Sequence, residues 1–321
     1  MLITKFLDPK NDYAFKRIFG AERNKDILIH FINDILEFSE GHKIQEVSYI
    51  KPSQDPEIAS KKQSILDVLC KDEEGRQYIV EMQVARRTGF EKRAQYYAAK
   101  AYVNQLNAGG DYQDLKAVIF LAITDYVMFP ETPEYLSNHV TLDKKRHSRD
   151  LKDFSFTFLE LPKFNKSIDQ LENMVEKWAY FFKHAAETHE KEMPRIAGLD
   201  DVIAQAYEEL NRFSWSEQEL LNYESEQKRL MDDKAAWDYF VRVIVEEGKQ
   251  RAMKEGREEG IQKGMQEGIQ KGMQEGREQR IQEGRQAERL EIAKNMILSG
   301  MSMDIIRSLM GLSDAELSTL A

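Results

Sequence analysis

Residues 64–84 read SILDVLCKDEEGRQYIVEMQV: two apolar runs, SILDVLCK (64–71) and RQYIVEMQV (76–84), on either side of the turn-forming DEEG. Short runs rich in β-branched and aromatic residues, bounded by turn residues, read as the two strands of a hairpin. Asp67 and Glu81 lie seven residues either side of Glu74, so a turn centred on Glu74 sets the two acids directly opposite each other. Side chains alternate along a strand, which gives Ile65, Asp67 and Leu69 one face and Ile79, Glu81 and Gln83 another. A symmetric turn makes those the same side of the hairpin. Opposed residues have Cβ atoms roughly 4.5–5.5 Å apart, where like charges repel. The apolar flanks ILDVL and YIVEMQV worsen that repulsion and raise at least one carboxylate pKa. Something must compensate. A divalent cation is one answer, magnesium or manganese rather than zinc because every ligand is an oxygen. An ion pair with Arg93 or Lys100 from the following segment is another. A turn one residue longer or shorter would separate the acids to opposite faces.

Outward from the hairpin, residues 1–165 read as mixed α/β. NDYAFKRIFG and NKDILIHFINDIL carry apolar residues at helical spacing, with Asn24 as the expected N-cap of the second helix. KIQEVSYI (43–50) is a candidate strand, and TGFEKRAQYYAAKAYVNQLN (88–107) a helix closed by Gly109-Gly110. AVIFLAIT (117–124) is a continuous apolar run, as expected of a strand buried on both faces, and FSFTFLEL (154–161) adds another. The predicted order is α–β–β–β–α–β.

Residues 166–247 read as an acidic helical segment in which Trp178, Phe181 and Phe182 pack. Residues 248–290 hold a repeat with glycine at 256, 260, 264, 268, 272 and 276. Glycine every fourth residue suits either a flexible spacer or a helix closely packed in an oligomer, since each glycine costs a helix about 1 kcal/mol relative to alanine. Residues 291–321 recover helical periodicity around Ser299-Gly300, with Ser313 as an N-cap, and resemble a small helix-turn-helix unit.

Composition narrows the function classes. The net charge of −10 is unevenly placed. Residues 1–165 carry 24 basic against 25 acidic residues, 166–247 carry 10 against 19, and 248–321 carry 12 against 12. The first segment has local basic clusters at Lys61-Lys62, Arg86-Arg87, Lys92-Arg93 and Lys144-Lys145-Arg146, able to track phosphates. The single cysteine, Cys70, excludes a disulfide framework and a cysteine-based zinc site. The six histidines (30, 42, 139, 147, 184, 189) show no HxH or HExxH spacing, against zinc catalysis. The start MLITKFLDPK is too interrupted for a signal peptide, and no apolar run is long enough to span a membrane, so a cytoplasmic protein is expected.

The order of elements, with Asp67 on the second strand and Glu81-Met82-Gln83 on the third, resembles the PD-(D/E)XK nuclease superfamily, an α+β, restriction-endonuclease-like αβββαβ core with a mixed sheet flanked by helices. More narrowly, FLDPKNDYAFKRIFG (6–20), SILDVLCKDEEGRQYIVEMQV and FEKRAQYYAAKAYVNQLNAGGDY (90–112) followed by VIFLAIT resemble the recombination-promoting nucleases, a transposase-like family. The repeat and the helical C-terminus are similar to tails found in that family. The resemblance implies metal-dependent hydrolysis of DNA phosphodiesters with little sequence preference, and a role in recombination or DNA mobility. Asp67 and Glu81 match the metal-binding acids, with Asp12 on the first helix as a third, and the implied ion is Mg2+, with Mn2+ or Ca2+ as alternatives. Gln83 stands where the general motif has lysine, and Leu66 where it has proline. Arg93 and Tyr97 match residues facing the site, and Lys16, one helical turn after Asp12, is a phosphate-binding candidate. The expected partners are DNA, with RNA left open, and a second copy in a homodimer or higher homo-oligomer. The rival reading is a non-catalytic binding protein that keeps the nuclease fold. What separates the two is whether Asp67, Glu81 and Gln83 converge on one open pocket.

Overall fold

The computed structural model describes residues 4–50, 53–54, 64–106, 109–198 and 200–320, so the Lys61-Lys62 cluster lies outside the described residues. The hairpin is built around Asp72. Its buried carboxylate accepts from the backbone N–H groups of Glu74 and Arg76 at 3.0 and 2.9 Å, and Gly75 takes the left-handed φ of +83° that the turn requires. This centres the turn on Glu74. Strands β4 (Val68–Asp72) and β5 (Gln77–Gln83) then pair antiparallel as Lys71↔Gln77, Cys70↔Tyr78, Leu69↔Ile79 and Val68↔Val80. That is the register expected from the spacing of Asp67 and Glu81.

The first run is not one strand, however. Ser64–Ile65 (β3) pairs with Ser53–Gln54 (β2) in a separate two-stranded ribbon that follows β1 (Val47–Tyr49). The ladder to β5 begins only at Val68, and Asp67 sits in the break. Leu66 turns into the same apolar layer as Leu69, which breaks the alternation that a continuous strand would keep.

Beyond β5 the chain forms β6 (Val118–Thr124), β7 (Leu136–Val140) and β8 (Phe154–Glu160). The main sheet has the order β1-β4-β5-β6-β8-β7 and is mixed, with β5/β6 and β6/β8 parallel and the remaining pairs antiparallel. All of β6 is buried, as its unbroken apolar run predicts. Strand β7 was not legible: LSNHV is mostly exposed at the sheet edge and has no apolar alternation to mark it.

Helices cover both faces. On one, α1 (Asp12–Phe19) and α2 (Lys25–Ile35) pack with α4 (Met174–His184), α5 (Met193–Ala197) and α6 (Asp201–Glu209). Phe31 joins them, 5.0 Å from Phe19 and 5.2 Å from Trp178 between ring centroids. Trp178, Phe181 and Phe182 are fully buried, as packing residues should be. On the other face lies α3 (Phe90–Val103), whose buried Ala94, Ala98 and Ala101 let it sit close on Ile79, Phe120 and Phe158. It ends at Val103 with Asn104 as its C-cap, short of the expected closure at Gly109. Asn24 precedes α2 but makes no side-chain cap, its amide donating instead to the Arg17 carbonyl at 2.9 Å.

By packing, the chain forms two compact units, 1–236 and 237–321. Helix α7 (Glu217–Leu298) runs unbroken through the glycine repeat. In the second unit the end of α7, α8 (Met303–Met310) and α9 (Asp314–Ser318) enclose Ala293, Ile306, Leu312 and Leu317, and Ser313 caps α9 in a capping box with Glu316. A methyl group at Gly264 or Gly268 would meet nothing within 4 Å. Gly264→Ala and Gly268→Ala should therefore each stabilise the helix by about 0.8–1 kcal/mol. Circular dichroism of the full chain on heating should show this as a later loss of helical signal, and an earlier loss would contradict an open helical face.

Candidate functional site

Asn11, not Asp12, caps α1, accepting from the N–H groups of Tyr13 and Ala14 at 3.0 and 3.3 Å. Asp12 is thereby free to project from the first turn, and its partner is Lys16, one turn on, at 2.8 Å. The same Lys16 ammonium lies 3.6 Å from Asp67 Oδ1. α1 is held in place by its buried face of Ala14, Phe15, Ile18 and Phe19, so these polar residues are presented from a rigid element.

At the break before β4, side chains replace the ladder hydrogen bonds. The Asp67 N–H donates to Glu81 Oε1 at 3.3 Å, and the Met82 N–H donates to Asp67 Oδ2 at 2.9 Å. The Gln83 amide donates to Glu81 Oε2 at 3.2 Å while its carbonyl accepts from Arg93 at 2.5 Å. Arg93 thus reaches Glu81 through Gln83, and its guanidinium also lies over the Phe90 and Tyr97 rings at 4.8 and 5.8 Å.

These residues line one open cleft of about 390 Å3. Its acids are Asp12, Asp67 and Glu81. Around them stand Lys10, Lys16, Arg87, Arg93 and Arg229, with Gln83 and Tyr97 completing the wall. Five cations line the cleft beside three acids, and Lys10, Arg87 and Arg229 are also paired with Asp125, Asp233 and Glu226 outside the lining. All seven residues singled out from the sequence are brought together here. Arg87 comes from the Arg86-Arg87 basic cluster of the sequence, whereas Lys10 and Arg229 were not singled out. Lys10 precedes the Asn11 cap and is paired with Asp125 at 2.9 Å, and Arg229 arrives from α7, far along the chain. Proximity that depends on folding of distant segments leaves no local signal.

Burial pushes Glu81 up to about 8, and the neighbouring Asp67 charge adds to the shift, against the opposing pull of Arg93. Burial likewise pushes Asp67 up to about 6, opposed by the Met82 N–H and reinforced by the Asp12 charge. Both carboxylates are therefore held in their neutral form chiefly by desolvation, which the nearby Lys16 and Arg93 charges offset only in part. Among the described residues, no group of three or more acids, histidines or cysteines is gathered closely enough to hold a metal as it stands. The donor chemistry nonetheless fits a hard divalent cation: desolvated carboxylate oxygens, with an ammonium already drawn to Asp67.

A mixed sheet flanked by helices, with an acid before one strand of a hairpin and Glu-x-Gln on the next, defines a nuclease-like fold of the PD-(D/E)XK class. The chain belongs to the PD-(D/E)XK nuclease family transposases, whose family model matches residues 9–239. Residues 286–321 match the C-terminal HTH domain of the Rpn/YhgA-like nuclease family. No curated protein and no solved structure matches the chain.

Proposed function

We propose that this protein is a magnesium-dependent DNA endonuclease that hydrolyses phosphodiesters with little sequence preference, its chemistry carried by Asp67, Glu81 and Gln83. The observation that carries this reading is the convergence of those three residues, with Asp12, in one open cleft rimmed by cations on a nuclease-family fold. Asp67 and Glu81, with Asp12 adjoining, would hold the ion. Once bound, the ion supplies polarisation of a phosphoryl oxygen and a lowered pKa for an attacking water. Gln83 fixes Glu81 from one side and Arg93 from the other, and its second amide proton is left to orient water. Arg93, Lys16 and Tyr97 bind and orient the phosphodiester, and Arg87 and Arg229 extend the positive surface along the DNA backbone.

The reading extends to a cytoplasmic homodimer cutting opposite strands, with the family's transposase character supporting a role in recombination. Among the described residues no helix is long and apolar enough to cross a membrane.

The test is nicking of supercoiled plasmid by purified protein with magnesium, manganese or chelator, beside Asp67→Ala and Glu81→Ala. Cutting should require metal and fall about 1,000-fold or more in each variant, because several kcal/mol of transition-state stabilisation depend on the ion. Persistent cutting by either folded variant would remove these residues from the chemistry. Absence of cutting by the wild type on DNA and RNA under every metal would favour the binding protein.

A further inference from the structure

We infer that Lys16 is a built-in stand-in for the metal: its ammonium bridges Asp12 and Asp67 and would leave Asp67 when a divalent cation binds there, which frees it for the substrate phosphate. This rests on the nuclease reading above and adds to it a competition between two cations for one oxygen.

The geometry of Asp67 carries the argument. Its Oδ2 accepts the Met82 N–H at 2.9 Å, so Oδ1 is the oxygen left to face a cation. Lys16 Nζ sits 3.6 Å from that Oδ1 and 2.8 Å from Asp12 Oδ1. An ordinary surface pair of residues four apart on a helix would involve Asp12 alone and contribute little. Asp67 belongs to another element and its side chain is only 15% exposed, so Lys16 also neutralises a largely desolvated acid. Glu81 is engaged at both oxygens by short-range donors, the Asp67 N–H and the Gln83 amide. No three acids are gathered around a common point among the described residues, although three line the cleft. Two of them, Asp12 and Asp67, lie within hydrogen-bonding reach of each other, and Lys16 is the cation that this pair shares.

The exchange needs no movement of the backbone. α1 is anchored by buried Phe15 and Phe19, whereas the Lys16 side chain is 39% exposed and swings on four flexible carbons. An ammonium released from Asp67 remains on the cleft wall, where it meets a phosphate. The arrangement therefore makes metal entry and phosphate recognition two consequences of one displacement.

The experiment measures Mn2+ binding to the full chain by calorimetry for wild type, Lys16→Met, Lys16→Gln, Lys16→Arg and Asp67→Asn, with plasmid nicking and thermal unfolding alongside. Removing the competing charge should tighten Mn2+ binding about tenfold in Lys16→Met and Lys16→Gln, the order expected for a charge-assisted contact. Lys16→Arg should bind Mn2+ like the wild type, Asp67→Asn should lose binding, and nicking by the two neutral variants should fall even at saturating Mn2+. Unchanged or weaker Mn2+ binding in the folded neutral variants, with a nicking-competent wild type, would overturn the stand-in and leave the nuclease reading intact. A merely structural helix pair would give that result, with a lowered melting temperature only. A wild type that neither binds Mn2+ nor nicks would overturn both.

Discussion

Glu81→Gln is expected to make the protein more stable at pH 8, by on the order of a few kcal/mol, while removing nicking activity, because a buried carboxyl that resists ionising opposes folding wherever the unfolded chain ionises it. Glu81 is 3% exposed, and burial together with the Asp67 charge raises its folded pKa to about 8 from an ordinary value of 4.5. The folded state therefore holds this proton more tightly than the unfolded chain. Stability is full below the unfolded pKa and is lost as pH rises from about 4.5 to about 8. Glutamine is neutral throughout and retains a carbonyl to accept from the Asp67 N–H, so the variant escapes the cost of ionisation, offset in part because its own amide then faces the donating amide of Gln83. Urea unfolding in chelator should show the two proteins nearly equal at pH 5 and well separated at pH 8. Parallel pH dependence of wild type and variant would show that Glu81 ionises freely, contrary to its burial. Added magnesium should narrow the gap by stabilising only the wild type. Asp67→Asn should act in the same direction over a lower window, ending near pH 6.

Asp72→Ala should have the opposite effect, destabilising by about 3–5 kcal/mol, the range for breaking a buried charged network. The Asp72 side chain is fully buried and accepts four hydrogen bonds: two backbone N–H groups of the turn, Arg76 Nε at 2.6 Å and the Tyr78 hydroxyl at 2.9 Å. Alanine leaves the Tyr78 hydroxyl without its acceptor inside the core and releases the turn that sets the β4–β5 register. The urea midpoint should fall steeply, with Asp72→Asn intermediate because it keeps an acceptor. A loss below about 1 kcal/mol would mean that strand pairing alone determines the register. The protein that still folds should nick DNA normally, because Asp72 lies at the turn end of the hairpin, away from the cleft.

Much of this was legible in residues 64–84. The DEEG turn centred on Glu74 and the register that follows were readable because a hairpin propagates the position of its turn along both strands. The unbroken apolar run of β6 and the helical periodicity of α1 and α2 were equally local. The break at Leu66-Asp67 was not, because SILDVLCK has the composition of one strand. It is interrupted because Leu66 finds the layer under α3 and because Asp67 and Glu81 bond the backbone in place of a ladder. Likewise, the glycine repeat was compatible with spacer or helix. It is helical as part of a continuous α7, and no side-chain pattern within the repeat decides that.

By itself, the sequence determined the succession of helical and strand segments and offered a hairpin register centred on Glu74, since both follow from spacing along a short stretch of chain. The nuclease class and the part given to the acids rested on resemblance to a family. Tertiary structure decided what surrounds those acids. Lys16 meets Asp67 because α1 packs across the sheet from a distant part of the chain. Arg229 reaches the cleft from α7, and Gln83 becomes a link between Arg93 and Glu81 because α3 lies over β5. Local pattern records the periodicity of backbone hydrogen bonding and the burial of one face. Electrostatic environment depends on charges brought within a few ångströms by packing of segments remote in sequence, and only the folded chain specifies those distances.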